Sequence, residues 1–320
     1  MISMNRFGAI TALLTCFSLT QTQAQQIPLF TQYREMHGVL NPAAVPYGFL
    51  TNQNKASIGI SNRRQWLNMP NPPTTQILRG EYFAADRTGV ALLTGGYLIN
   101  DQTGPTGLTG LYGRIAGVIT SDAEVGGLSF GLALGAVQYR LKTTELKLRD
   151  DGDIRATEDR TKMYPDLSIG VFWYQKLRDI SDDDYVYAGA SVPQMMGLDL
   201  NITDGDKTLH YQRVRHYYAS AGWYHFFSEG TFIEPSVWVK YVKNAPVNVD
   251  FNLRYQAANT FWVGAGSSVS GNIHAELGFI AGKNLGFDSN FRVGYGFDYS
   301  SQNYGSFTGT THEVNISYSF

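Results

Sequence analysis

The stretch His312-Glu313-Val314-Asn315-Ile316-Ser317-Tyr318-Ser319-Phe320 decides the fold. Val314, Ile316, Tyr318 and Phe320 share one face of an extended strand, and Glu313, Asn315, Ser317 and Ser319 share the other, because successive strand side chains point to opposite sides. The same split recurs upstream. In 290–299, Phe291, Val293, Tyr295, Phe297 and Tyr299 oppose Asn290, Arg292, Gly294, Gly296 and Asp298. Residues 272–279 set Ile273, Ala275, Leu277 and Phe279 against Asn272, His274, Glu276 and Gly278. Further copies lie in 128–136, 167–173 and 247–255.

From Gln53 onward the period is two, with no sustained helical period. The pattern predicts strands near 53–62, 74–83, 87–98, 107–120, 126–139, 166–178, 184–192, 213–226, 230–241, 246–255, 259–267, 271–280, 288–299 and 309–320. That is about fourteen, an even number, and roughly ten residues suffice for a tilted strand to cross a bilayer. Even-numbered connections are short, and the two longest gaps, 140–165 and 193–212, fall at the fifth and seventh. Short turns on one side and long loops on the other are the asymmetry of an outer-membrane antiparallel β-barrel. The expected class is therefore all-β, with a short non-strand segment at the N-terminal side.

Composition agrees. Of 320 residues only 16% are charged, against about 25% in soluble domains, while aromatic residues make up 13% and glycines number 34. With 25 basic and 27 acidic residues and no cationic cluster, nucleic acid is not an expected partner. No run of 18 apolar residues exists to form a transmembrane helix, which leaves alternating strands untouched. A soluble sandwich or propeller would also alternate. Aromatic residues near strand ends (Tyr174, Tyr185, Tyr187, Tyr217, Tyr241, Tyr299), read as interfacial girdles, and the terminal Phe320 favour the membrane barrel.

Residues 1–24 read as an export signal: Arg6 precedes an apolar stretch from Phe7 to Leu19, and Thr22-Gln23-Ala24 suits a peptidase. Cys16, the one cysteine, is expected to leave with it. Residues 25–52 then form a periplasmic or plug segment and 53–320 the barrel. Polar faces must line the lumen. Glu234, Lys240, Asp250, Arg254, Glu276, Arg292, Asp298 and Glu313 mix both signs there, which suggests a stiffening ion-pair network; a conducting pore is the alternative.

Catalytic motifs are weak, and no enzyme is expected. Gly127-Leu128-Ser129-Phe130-Gly131 matches a serine-hydrolase string but sits mid-strand with no helix to follow. The six histidines lack metal spacing, and Asp150, Asp151, Asp153, Asp182–Asp184, Asp204 and Asp206 lack the order of a calcium loop. No cofactor or metal is implied. Gly131, Gly135, Gly264, Gly266, Gly278, Gly294 and Gly296 fall mostly on the non-apolar face, where they relieve crowding or admit a plug or partner segment.

Pro28-Leu29-Phe30-Thr31-Gln32-Tyr33 followed by Val39-Leu40-Asn41-Pro42-Ala43-Ala44 resembles the opening of the PorP/SprF family of type IX secretion system membrane proteins, found in gliding and related Bacteroidota. Arg63-Arg64-Gln65-Trp66, Gly127 to Gly131, Pro165-Asp166-Leu167-Ser168-Ile169-Gly170 and the closing His312-Glu313-Val314 with Tyr318-Ser319-Phe320 also resemble family elements. The resemblance implies an outer-membrane barrel without catalysis that helps export or anchor adhesin-like cargo with C-terminal secretion domains, alongside other secretion components and outer-membrane lipid. It makes Phe30, Gln32, Tyr33, Asn41, Pro42, Arg64 and Trp66 candidates for partner contact. The alternative is a fatty-acid-type transporter or passive porin, which would need a continuous conduit.

Overall fold

The structure, a computed structural model, describes residues 30–84, 89–142, 159–177, 184–196, 199–204, 207–212, 214–258, 260–282, 285–301 and 305–320. The expected signal, Pro28, Leu29 and the aspartates at 150, 151, 153, 182, 183 and 206 lie outside these residues. Two single-turn helices, α1 (His37–Leu40) and α2 (Phe49–Asn52), precede the strands. The first seven strands are β1 (Ala56–Arg64), β2 (Thr74–Ala84), β3 (Val90–Thr103), β4 (Thr106–Asp122), β5 (Gly126–Leu141), β6 (Arg160–Leu177) and β7 (Asp184–Val192). A separate hairpin, β8 (Asp199–Asp204) and β9 (Lys207–Gln212), comes next. The rest are β10 (His216–Ser228), β11 (Thr231–Val242), β12 (Asn248–Ala257), β13 (Phe261–Ser268), β14 (Asn272–Ala281), β15 (Asn290–Ser300) and β16 (Thr311–Ser319), with α3 (Gly305–Thr308) before the last.

Fourteen strands, all but β8 and β9, close into one antiparallel barrel. β16 pairs with β1 from Arg64↔His312 to Ser57↔Ser319, and Phe320 and Ala56 exchange backbone hydrogen bonds at 2.9 and 3.0 Å beyond the ladder. Closure leaves the barrel no free edge. Tight turns need left-handed backbone at Gly230 (φ 72°) and Gly271 (φ 81°), where a side chain would be strained.

The apolar face points outward. Val314, Ile316, Tyr318, Phe130 and Leu134 are all on the outer wall, the last two 54% and 61% exposed. A closed barrel with an apolar outer belt is the arrangement of a transmembrane β-barrel; among the described residues no helix is long and apolar enough to cross a membrane. Short turns such as 122–126 and 228–231 sit at one end, together with the start of β1. The strand ends Arg64 and Thr74, Leu141 and Arg160, Val192 and His216, and Ser300 and Thr311, between which the long gaps fall, lie at the other.

Three expectations change. The gap 193–212 is not plain loop, since it carries the β8–β9 hairpin. Tyr174, Tyr185 and Tyr187 are buried against the lumen rather than in a girdle, because on β6 it is Trp173 that faces out and Tyr174 that faces in. Tyr217, Tyr241 and Tyr299 are exposed, as a girdle requires. The inward face is also less polar than alternation suggests: Tyr97, Tyr112, Phe172, Trp238 and Trp262 are buried among the ion pairs.

Candidate functional site

The described part of the N-terminal segment, residues 30–52, runs through the lumen as a strap. It enters at the long-loop end, where Thr31 Oγ1 donates to Asp298 (2.5 Å), and leaves at the short-turn end, where Phe49 packs edge-on to Phe83. Twenty-odd residues with little regular structure must satisfy their backbone groups from the wall. Glu313 accepts the backbone N–H groups of Thr31 (2.8 Å) and Gln32 (3.2 Å), and Arg63 holds the same carboxylate at 3.3 Å and Asp298 at 2.7 Å. Ser191 Oγ donates to Leu40 O at 2.7 Å, and Arg114 Nη1 to Ala44 O at 3.0 Å.

Charge matching fixes the middle of the strap. Arg34 reaches Glu234 (2.6 Å), Glu276 (3.1 Å) and Ser236 (2.8 Å), and Glu35 accepts from Arg79 at 2.7 Å. Tyr33 shares a 2.6 Å hydrogen bond with Ser236 and stacks on Trp238, with ring centroids 5.1 Å apart. Arg254 and Arg292 lie over the Trp262 ring at 4.7 and 4.5 Å, a cation–π arrangement that covers guanidinium faces. Buried ions survive only when paired or otherwise compensated, so the expected luminal network of both signs is present and the strap is part of it.

The elements that resemble family motifs converge here. A Cβ on Gly131 would stand 2.5 Å from the Pro42 carbonyl carbon, one on Gly170 2.0 Å from Asn41 Oδ1, and one on Gly189 2.9 Å from Asn41 Nδ2. Gly131 and Gly170 are register partners, so the Asn41-Pro42 knuckle lies directly on a wall stripped of side chains. Asn41 Oδ1 also accepts the Ala43 N–H (2.9 Å), and Asn41 Nδ2 donates to Val171 O (3.0 Å). Ser129 is inward-facing and fully buried, four residues into β5 and with strand rather than helix after it.

Above the strap, a cavity of about 610 Å³ opens at the long-loop end. Phe30 and Thr31 form its floor, Lys240, Asp250 and His274 part of its wall, and Trp66 its rim. Lys240 pairs with Asp250 at 2.5 Å, and His274 hydrogen-bonds Asn252. The cavity is thus hydrogen-bonding and of mixed charge, with aromatic surface at floor and rim.

Of the candidate residues, Phe30, Gln32, Tyr33, Asn41 and Pro42 are in the strap, and Trp66 is exposed at the mouth. Arg64 is not brought to them. Alternation along β1 turns Ser61 and Arg63 inward and Arg64 outward, so Arg63 is the member of that element that enters the lumen. Arg34, Glu35, Arg79, Glu81 and Arg114 join the site without being marked by any motif or period in the sequence. The available signal was an opposite-charge dipeptide inside a segment otherwise rich in apolar residues, and arginines isolated at inward strand positions.

The family model for the type IX secretion system membrane protein PorP/SprF matches residues 22–318. No curated protein matches the chain. Among solved structures, the Pseudomonas putida toluene transporter TodX is similar at 10% identity over 94% of each chain, with a TM-score of 0.47. A Pseudomonas aeruginosa FadL homologue is similar at 8% identity, covering 88% of this chain and 92% of that one, TM-score 0.47. The translocator domain of the autotransporter NalP from Neisseria meningitidis gives 12%, with 83% and 87% covered, TM-score 0.42.

Proposed function

The chain belongs to the PorP/SprF family of type IX secretion system membrane proteins, and from that membership we propose that this outer-membrane barrel assists export or surface anchoring of cargo proteins with C-terminal secretion domains. The cargo is held at the long-loop mouth, and the barrel works alongside other components of the secretion machinery. One observation carries this reading: residues 30–52 fill the lumen and are locked by buried ion pairs, while the cavity floored by Phe30 and Thr31 remains open at the outer end. A barrel closed along its axis but hollow at the mouth suits holding a partner. A transporter of apolar molecules would need an unbroken apolar path, and the charges at Arg34, Glu234, Glu276 and Arg63 interrupt any such path.

The test is deletion of the gene, complemented by the wild type or by a chain lacking residues 28–44. Complementation with the wild type should restore surface display of at least one protein with a C-terminal secretion domain. The deleted chain should conduct ions in planar bilayers where the wild type does not. If the knockout leaves secretion and display of every such protein unchanged, the cargo role is wrong.

A further inference from the structure

The outer wall is not uniform around the barrel. On β14 and β15 the outward residues stay apolar or aromatic along the strand, from Ile273 to Phe279 and from Phe291 to Tyr299. Across β1 to β5 the apolar run stops two or three residues short of the long-loop end. The first polar outward residues there are Asn62, Gln76, Asn100, Thr109 and Gln138, and each is the register partner of the next. Asn100 Nδ2 donates to Gln76 Oε1 (3.3 Å) and Thr109 Oγ1 to Asn100 Oδ1 (3.0 Å), so three of the five form one hydrogen-bonded row.

Two hollows meet at this row. Toward the short-turn end lies an apolar groove of about 610 Å³, walled by Ile60, Leu78, Leu98 and Ile316. Toward the long loops lies a polar notch of about 80 Å³, with Arg140 and Lys142 in its lining. Asn100 and Thr109 line both, which makes the surface continuous. Arg140 is exposed and has no carboxylate within 4.0 Å among the described residues, while Asp101, the neighbouring acid on β3, faces the lumen side and accepts from Thr75 at 2.5 Å.

Uncharged amides facing hydrocarbon would lose their water hydrogen bonds, a cost of several kcal/mol each, so on this side the hydrocarbon ends at the row. The long-loop end of such a barrel faces the cell exterior. Acyl chains fit the groove, sugar hydroxyls and amides fit the amide row, and a phosphate fits the guanidinium of Arg140, which makes strong charge-assisted hydrogen bonds to phosphate oxygens. We propose that the outer wall of β1 to β5 docks one phosphorylated glycolipid of the outer leaflet, of the lipid A type, with its acyl chain in the groove and its phosphate at Arg140. This inference rests on the barrel and its orientation, not on the cargo role.

The test uses the full mature chain in nanodiscs of phosphatidylethanolamine doped with lipid A, dephosphorylated lipid A or phosphatidylglycerol, and native mass spectrometry to read the lipid retained. Lipid A should be retained about tenfold more than the other two, a margin that the charge-assisted phosphate contact supplies over dephosphorylated lipid A and the hydrogen-bonding row supplies over phosphatidylglycerol. Arg140→Glu should abolish the preference over dephosphorylated lipid A, and Asn100→Leu with Thr109→Val should weaken the preference over phosphatidylglycerol several-fold. All these side chains are exposed, and each variant is checked for the folded, heat-modifiable band. Equal retention of phosphatidylglycerol, an unchanged preference in Arg140→Glu, displacement of the lipid by millimolar inorganic phosphate, or a lipid-free dimer through this wall would each overturn the proposal.

Discussion

The side-chain oxygen of Asn41 occupies the space that any side chain at Gly170 would need: a Cβ there would stand 2.0 Å from Asn41 Oδ1. The strap is therefore seated by shape as well as by charge. Gly170→Ala should cost about 1–3 kcal/mol, the usual range for overpacking a filled site, and should raise conductance by shifting the knuckle off the wall. Adding Asn41→Gly should recover much of the loss, since neighbours that clash are coupled rather than additive. Gly113→Ala is the control, because its Cβ would meet nothing within 4 Å. Denaturant unfolding in detergent compares these three variants with the wild type. No recovery in the double variant would mean the oxygen is not what excludes the side chain.

Arg34 serves two carboxylates, Glu234 and Glu276, with side chains almost wholly buried on every member. Replacing it by Leu removes one cation and strands two anions in the lumen. Breaking a buried pair from one side costs about 3–5 kcal/mol, more than the pair itself contributes. We expect that loss in unfolding free energy, together with protease cleavage within residues 30–52 under conditions where the wild type resists. Replacing Glu234 as well, by Leu, should return part of the stability, leaving Glu276 as the remaining unpaired acid. A loss of under about 1 kcal/mol in Arg34→Leu would show that water reaches this part of the lumen and screens the charges.

How far the sequence went is set by periodicity. The closing run 313–320 and its partner 290–299 could be read because apolar residues alternate with polar residues or glycine without exception, and both sit in the barrel as expected. The strap could not be read this way. It has no period, and its anchors are scattered along the chain, from Arg79 for Glu35 to Glu234 for Arg34, 44 and 200 residues away. A motif string marked Asn41, Pro42, Gly131 and Gly170 separately but not their meeting. At Trp173 and Tyr174 the alternation of Leu167, Ile169, Val171 and Trp173 puts Trp173 outward, so nearness to a strand end alone places Tyr174 on the wrong side. Arg63 and Arg64 are separated by the same alternation: Ile58 and Ile60 set the outward phase of β1, which puts Arg64 outside and Arg63 inside, while a motif string alone marks both.

Asp184 fastens the short-turn end of β7 to β10. Its carboxylate accepts from Trp223 Nε1 (3.1 Å), His225 Nδ1 (2.9 Å) and the Phe226 N–H (3.0 Å), while the side chain is fully buried. Hydrogen bonds to a charged group contribute about 1.5–3 kcal/mol each, and a donor left buried without a partner costs about as much again. Asp184→Ala should therefore lower unfolding free energy by about 3 kcal/mol or more, with a shift in the emission of Trp223 before global unfolding. Asp184→Asn keeps the shape and one acceptor oxygen, so its loss should be about half as large. Equal effects of the two substitutions would indicate that packing, not charge, holds this corner.

Trp66 and Arg64 separate a role at the mouth from a role on the wall. Trp66 stands at the rim of the outer cavity with left-handed backbone (φ 60°), 38% exposed, and its backbone N–H, which alanine would keep, donates to Thr311 Oγ1 at 3.3 Å. Arg64, two positions earlier, points outward from β1. Neither side chain is packed in the core, so alanine at either site should change stability by no more than about 0.5 kcal/mol. Their effects on cargo should differ. An exposed tryptophan at a cavity rim supplies the large, rigid apolar surface that dominates many protein contacts, where truncation costs about 2 kcal/mol or more of binding. Trp66→Ala should then reduce surface display of the cargo severalfold, because such a binding loss lowers occupancy at fixed cargo concentration. Arg64→Ala should leave display unchanged. The comparison is made in the complemented knockout, with barrel abundance in the outer membrane as the normaliser. Equal display in both variants would move the cargo contact away from the rim cavity and onto the long loops.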